Sequence, residues 1–126
     1  MAKSKVLLVE DDVVLRDLYQ TRLELEGYQV VVAGDGEEGI NVATKEQPDI
    51  VMLDLMLPKI PGMEVLEKLK NQDQTKKIPV VVVTALSNNR TKGLIYGAED
   101  YLVKSESSLE DMVNKVKEVL HHSKTA

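Results

Sequence analysis

Five short apolar runs are spaced along the chain: Val6–Val9, Val30–Ala33, Ile50–Leu53, Val80–Val83 and Tyr101–Val103. The first four are rich in β-branched residues and unbroken by polar ones. A strand with one wet face alternates apolar and polar residues, whereas an unbroken run suits a strand buried on both faces, as in a parallel sheet. Between the runs the spacing becomes helical. Val14, Leu15, Leu18, Tyr19 and Leu25 mark a first helix, capped by Asp12 and ended by Gly27 in a left-handed conformation. Ile40 and Ala43 mark a second, and Val65, Leu66 and Leu69 a third, with Glu64 and Lys68 spaced to pair. Asn89 to Tyr96 is a poor fourth helix, because it contains Gly93 and few strong helix formers. Leu109, Met112, Val113, Val116 and Leu120 form the clearest stripe, which opens on Ser107 and Glu110 as a capping box. Strand then helix, five times over, predicts an α/β fold: a doubly wound parallel sheet with right-handed crossovers and helices on both faces. The reading is one domain over residues 1–126, with a frayed end from Ser123 to Ala126.

Composition removes several function classes. The chain has no cysteine, which excludes disulfides, thiolate metal sites and cysteine nucleophiles. Its only aromatics are four tyrosines, so stacking platforms for single strands are not expected. No apolar run exceeds four residues, so no membrane span is expected, and the N-terminus lacks a signal-peptide core. The chain is read as cytoplasmic. The net charge of −5 predicts no direct contact with nucleic acid.

The residues just past each run carry the chemistry. Glu10-Asp11-Asp12 come after the first run, Asp54 after the third, Thr84 after the fourth and Lys104 after the fifth. Open parallel sheets bind ligands outside the carboxyl ends of their strands. Alone, each of these residues reads as a helix cap, a loop hydroxyl or a surface charge. Together at one sheet edge they make a site. Clustered carboxylates repel one another, and a hard divalent cation such as Mg2+ relieves this. Lys104 adds a compact charge for phosphate oxygens, and a carboxylate beside both is placed for in-line attack on phosphorus.

These residues also carry a resemblance. Val6-Leu7-Leu8-Val9-Glu10-Asp11-Asp12, then Asp54-Leu55-Met56-Leu57-Pro58 with Gly62-Met63-Glu64, then Val83-Thr84-Ala85, then Gly97 to Lys104, occur in the order found in response-regulator receiver domains of two-component signalling. The chain resembles that family, chemotaxis regulators included, over nearly its whole length. The resemblance implies a flavodoxin-like sheet of five parallel strands in order 2-1-3-4-5, flanked by five helices. It implies that Asp54 is the phospho-acceptor, assisted by Lys104 and Thr84. Glu10, Asp11, Asp54 and the Met56 carbonyl are implied to hold Mg2+. Thr84 and Tyr101 are implied to be the switch pair, and Met56, Ala85 and Leu86 the positions that tune access and phosphate loss. Met56 and Leu86 are apolar and cannot orient a water, which implies slow self-dephosphorylation.

Implied partners are a sensor histidine kinase upstream and a protein bound through the fourth helix, fifth strand and fifth helix. An unphosphorylated monomer is expected, and no segment for direct DNA contact. The resemblance implies a phospho-acceptor that acts only on its own aspartate, and a multiple-turnover enzyme is not expected. A phosphatase of the aspartyl-phosphate type needs a second carboxylate two residues after the nucleophile, where Met56 stands. A flavodoxin-like cofactor carrier needs a hydroxyl-rich loop where Glu10-Asp11-Asp12 would repel phosphate. A degenerate receiver used only for protein binding is the remaining alternative, and the intact acidic set argues against it. Two departures from the family stand out. Ser105 comes after Lys104 where the family usually has a cis proline, so a trans bond is expected. The stretch from Thr84 to Lys104 is also slightly short.

Overall fold

The computed structural model describes residues 3–125, with side chains through His122. Five strands, β1 (Lys5–Val9), β2 (Gln29–Ala33), β3 (Ile50–Leu53), β4 (Val80–Thr84) and β5 (Asp100–Val103), pair in parallel in the order β2-β1-β3-β4-β5. Each is followed by a helix: α1 (Val13–Leu25), α2 (Gly36–Glu46), α3 (Gly62–Asn71), α4 (Arg90–Ile95) and α5 (Leu109–Thr125). The doubly wound sheet and its strand order agree with expectation, and each strand lies within one residue of its apolar run.

Alternation along the strands explains why both faces are apolar. Leu7, Val9, Val51, Leu53, Val80 and Val82 face α2 and α3, meeting Ala43, Val65, Leu66 and Leu69. Val6, Leu8, Ile50, Met52, Val81 and Val83 face the other way, onto Tyr19 and Leu23 of α1 and Met112, Val113, Val116 and Leu120 of α5. Two cores therefore share one sheet, and neither strand face is free for polar residues.

Local signals set the helix ends. Asp12 accepts from the Val14 and Leu15 amides, and Gly27 takes φ +98° after α1. Asp35 caps α2 through the Glu38 amide, while Glu38 reaches back to accept from the Gly34 amide, one residue before the cap. Helix α4 has only six residues and no side-chain cap, as its composition suggests.

Four details differ from the sequence reading. The box that opens α5 is Ser108 with Asp111, not Ser107 with Glu110; Glu110 instead reaches Arg22 of α1 at 2.5 Å. On α1, Val14, Leu18 and Leu25 are 77 %, 47 % and 77 % exposed, and the buried residues are Tyr19 and Leu23. Of the apolar set read from spacing, Leu15 and Tyr19 thus pack on the sheet, whereas Val14, Leu18 and Leu25 face away from it. Among the described residues Glu64 and Lys68 form no ion pair. Helix α5 continues through Ser123 to Thr125, whereas Met1, Ala2 and Ala126 lie outside the described residues.

Candidate phospho-acceptor site

The sheet delivers its polar residues to one edge because the ladder continues a step beyond each strand. The Glu10 amide donates to Ala33 O at 3.0 Å, the Asp54 amide to Val9 O at 3.1 Å, and the Lys104 amide to Thr84 O at 2.8 Å. Glu10, Asp54 and Lys104 are therefore held by the backbone at the ends of β1, β3 and β5. Glu10 is 2 % exposed, Asp54 5 % and Thr84 fully buried. Asp11 lies on the exposed rim.

The Lys104 ammonium joins the cluster. Its Nζ donates to Glu10 Oε1 at 2.7 Å and to Asp54 Oδ2 at 2.8 Å. Burial disfavours that charge, but the two carboxylates outweigh burial and the ammonium is pushed up to about 12. Burial raises the Glu10 carboxyl above its ordinary range, against the hydrogen bonds from Lys104 and the Asp12 amide. Asp54 Oδ1 accepts from the Met56 amide at 3.0 Å, which orients the carboxylate. One oxygen each from Glu10, Asp11 and Asp54 lie within 4.8 Å of one another. Three hard oxygen donors at that spacing fit a divalent cation such as Mg2+.

The approach of α3 shapes the floor. A Cβ on Gly62 would lie 2.3 Å from Leu55 Cα and 2.4 Å from Asp54 O, so only glycine lets α3 start this close to the acceptor.

The remaining expected residues stand around this core. Thr84 Oγ1 accepts from the Leu86 amide at 3.4 Å. Tyr101 is fully buried, with its hydroxyl donating to the Leu86 carbonyl. Both switch candidates thus meet at Leu86, which is itself half-buried. Ala85 and Met56 are exposed beside the acceptor. The Lys104–Ser105 bond is trans, as expected.

Sequence reasoning missed two cations. Arg16 Nη1 donates to the Glu10 carbonyl at 3.3 Å, one turn into α1. Arg90 Nη1 donates to the Tyr101 carbonyl at 2.8 Å. Arg16 lies four residues after the Asp12 cap, a spacing that returns a helical side chain to the same edge. Arg90 carries no such signal.

The model of the response regulator receiver domain matches residues 6–117. The chain belongs to the response regulator receiver family. Receivers of this kind are signalling modules of two-component systems. This receiver is 39 % identical over 121 residues to the DNA-binding dual master transcriptional regulator RpaA of Synechocystis, covering 94 % of this chain and 50 % of that protein. It is 41 % identical over 125 residues to the alkaline phosphatase synthesis transcriptional regulatory protein PhoP of Bacillus subtilis, covering 97 % and 50 %. Among solved structures it is similar to the BeF3-activated N-terminal receiver domain of RstA from Klebsiella pneumoniae: TM-score 0.84, 32 % identity, covering 93 % of this chain and 98 % of that one. A CheY-like receiver domain protein from Methanospirillum hungatei superposes at TM-score 0.88 with 26 % identity, each chain 98 % covered.

These relatives correct one expectation. The chain spans about half the length of the curated relatives it matches, and those relatives are named as transcriptional regulators, one of them as DNA-binding. The reading of no direct nucleic-acid contact, drawn from the charge of −5, does not stand. Net charge over one receiver describes that receiver's surface and carries no information about the DNA contacts of proteins twice its length.

Proposed function

We propose that the chain accepts a phosphoryl group on Asp54 from a sensor histidine kinase or a small phosphodonor, and thereby switches an output face. One observation carries this reading: Lys104, from the end of β5, bridges Asp54 and Glu10 at the ends of the adjacent strands β3 and β1, with Asp11 close to both carboxylates. Glu10, Asp11, Asp54 and the Met56 carbonyl would hold Mg2+, which supplies charge neutralisation for the transferring group. An Asp54 oxygen bonds to phosphorus as the P–N bond of a phosphohistidine breaks. The electron pair leaves on the imidazole nitrogen, which is then protonated. Lys104 exchanges its contact with Asp54 for a phosphoryl oxygen. Thr84 turns its hydroxyl to the same group, which favours the arrangement with the Tyr101 ring in the inward place it already occupies here and so biases an existing two-state equilibrium.

The apolar side chains of Met56 and Leu86 orient no water, so the phosphorylated form decays slowly, over minutes or longer. The responding surface is α4, β5 and α5. Its output is the control of transcription, as the relatives' names state for them, in the cytoplasm where the kinase's phosphohistidine is presented. The unphosphorylated chain is a monomer. The test is chemical trapping. Borohydride reduces an aspartyl phosphate, and peptide mapping after incubation with acetyl phosphate and Mg2+ should place the reduced residue at 54. Trapping at any other aspartate would overturn the assignment.

A further inference from the structure

Tyr101 is held from three sides. Its carbonyl accepts from Arg90 at 2.8 Å, its hydroxyl donates to the Leu86 carbonyl, and its ring is fully buried beneath α4. Gly93 of α4 lies against the ring. A Cβ there would stand 3.1 Å from Cδ2 and 3.4 Å from Cε2 of Tyr101. The φ of Gly93 is not positive, so the helix itself does not call for glycine at this position. Glycine is instead a poor helix former, and α4 is only six residues long with no side-chain cap. A residue that weakens an already short helix, and whose missing methyl is the space beside a buried ring, has its reason in that ring.

We infer that Gly93 is a positioning residue: by leaving the face of α4 bare, it admits the Tyr101 ring to its inward place and so sets how much of the chain occupies the arrangement in which Tyr101 and Thr84 meet at Leu86. The inference rests on the receiver reading of those two residues and deepens it. A contact at 3.1 Å is tighter than nine in ten real Cβ contacts, so the ring must give by a few tenths of an ångström. Strand β5 is paired with β4 from Asp100 to Val103 and cannot retreat. Arg90 keeps the start of α4 on the Tyr101 carbonyl. The ring is left to turn about χ1 and χ2, and a methyl at position 93 biases that turn outward.

The test reads the ring directly. Protein labelled with 3-fluorotyrosine has four fluorine signals, and Tyr101→Phe identifies the one from Tyr101. In the parent chain that signal is protected from a soluble gadolinium chelate. In Gly93→Ala it shifts and is broadened by the chelate. The rate of acetyl-phosphate labelling also changes by about threefold or more, and this change vanishes when Gly93→Ala is placed in a Tyr101→Leu background. A ring that stays protected in Gly93→Ala overturns the inference. So does an equal rate change in the Tyr101→Leu background, because position 93 would then act on the helix alone. If Gly93→Ala unfolds the parent chain, folding restored by Tyr101→Leu supports a clash with the ring, and unfolding in both backgrounds overturns it. The fluorine signal needs no phosphorylation. A chain that never labels would refute the phospho-acceptor reading and leave the ring measurement intact.

Discussion

Lys104 Nζ donates to Asp54 Oδ2 at 2.8 Å, so a cation from the end of β5 reaches over β4 to a carboxylate at the end of β3. The ammonium engages two of the three carboxylates that cluster there, Glu10 and Asp54. Unit charges about 4 Å apart at an effective dielectric near 20 interact by about 4 kcal/mol, which water and relaxation reduce. Lys104→Gln removes the competitor. Its Mg2+ affinity at pH 8, measured by calorimetry, is expected to rise by about tenfold, or ~1.4 kcal/mol. Unchanged or weaker binding would show that Lys104 and the metal do not compete.

Asp100 gives a pH signature away from that site. Burial works to raise its carboxyl, but Lys115 at 2.7 Å, the Tyr101 amide and Arg90 outweigh burial, and the group lies below the ordinary carboxylate range. A carboxyl depressed by folding stabilises fully above its unfolded value of about 3.9, and that stabilisation is lost as pH falls through the lower folded value. Asp100→Asn should therefore cost about 1–2 kcal/mol at pH 6. The gap between the two proteins in urea midpoint should close towards pH 3. A gap independent of pH would assign the loss to packing.

The opening of α5 separates two neighbouring serines. Ser108 Oγ accepts from the Asp111 amide at 3.0 Å, and Asp111 Oδ2 from the Ser108 amide at 2.9 Å. Ser108→Ala is expected to cost about 1 kcal/mol, lowering Tm by roughly 4 °C. Ser107→Ala should melt within about 1 °C of the parent, since substitutions away from such features are nearly neutral. Equal losses for the two would contradict the box.

The same serines show where sequence reading reaches its limit. Ser107 with Glu110 and Ser108 with Asp111 satisfy one pattern, and in the structure Glu110 is drawn off to Arg22 on another helix. The strands were legible because runs such as Val80–Val83 have no polar face to place outward. The edge cluster was legible because Glu10, Asp54, Thr84 and Lys104 each stand where a strand ends. The resemblance then supplied the strand order, which spacing alone does not determine. The buried side of α1 was not legible: Val14, Leu18 and Leu25 are as apolar as Leu15, Tyr19 and Leu23, and a helix with apolar residues on both sides has no single periodic face. The contacts of Arg90 and Gly93 with Tyr101 depend on how a short helix lies over β5, a tertiary fact without a local signal.

Gly62 is a sharper structural test. Its added Cβ would fall 2.3 Å from Leu55 Cα and 2.4 Å from the Asp54 carbonyl oxygen, both backbone atoms that cannot rotate away. Gly62→Ala should cost more than about 3 kcal/mol, beyond ordinary overpacking. Any folded remainder should label poorly, because α3 and the acceptor must move apart. A variant with parental stability would mean that the β3–α3 junction is looser than its contacts indicate.

The central claim is that Asp54 receives the phosphoryl group, and intact mass tests it most directly. The parent chain and Asp54→Asn are incubated with acetyl phosphate, each with and without Mg2+. The account predicts one added phosphoryl group on the parent chain, dependent on Mg2+, and none on Asp54→Asn. Equal labelling of both proteins, or Mg2+ binding and donor exposure with no label on either, would contradict it.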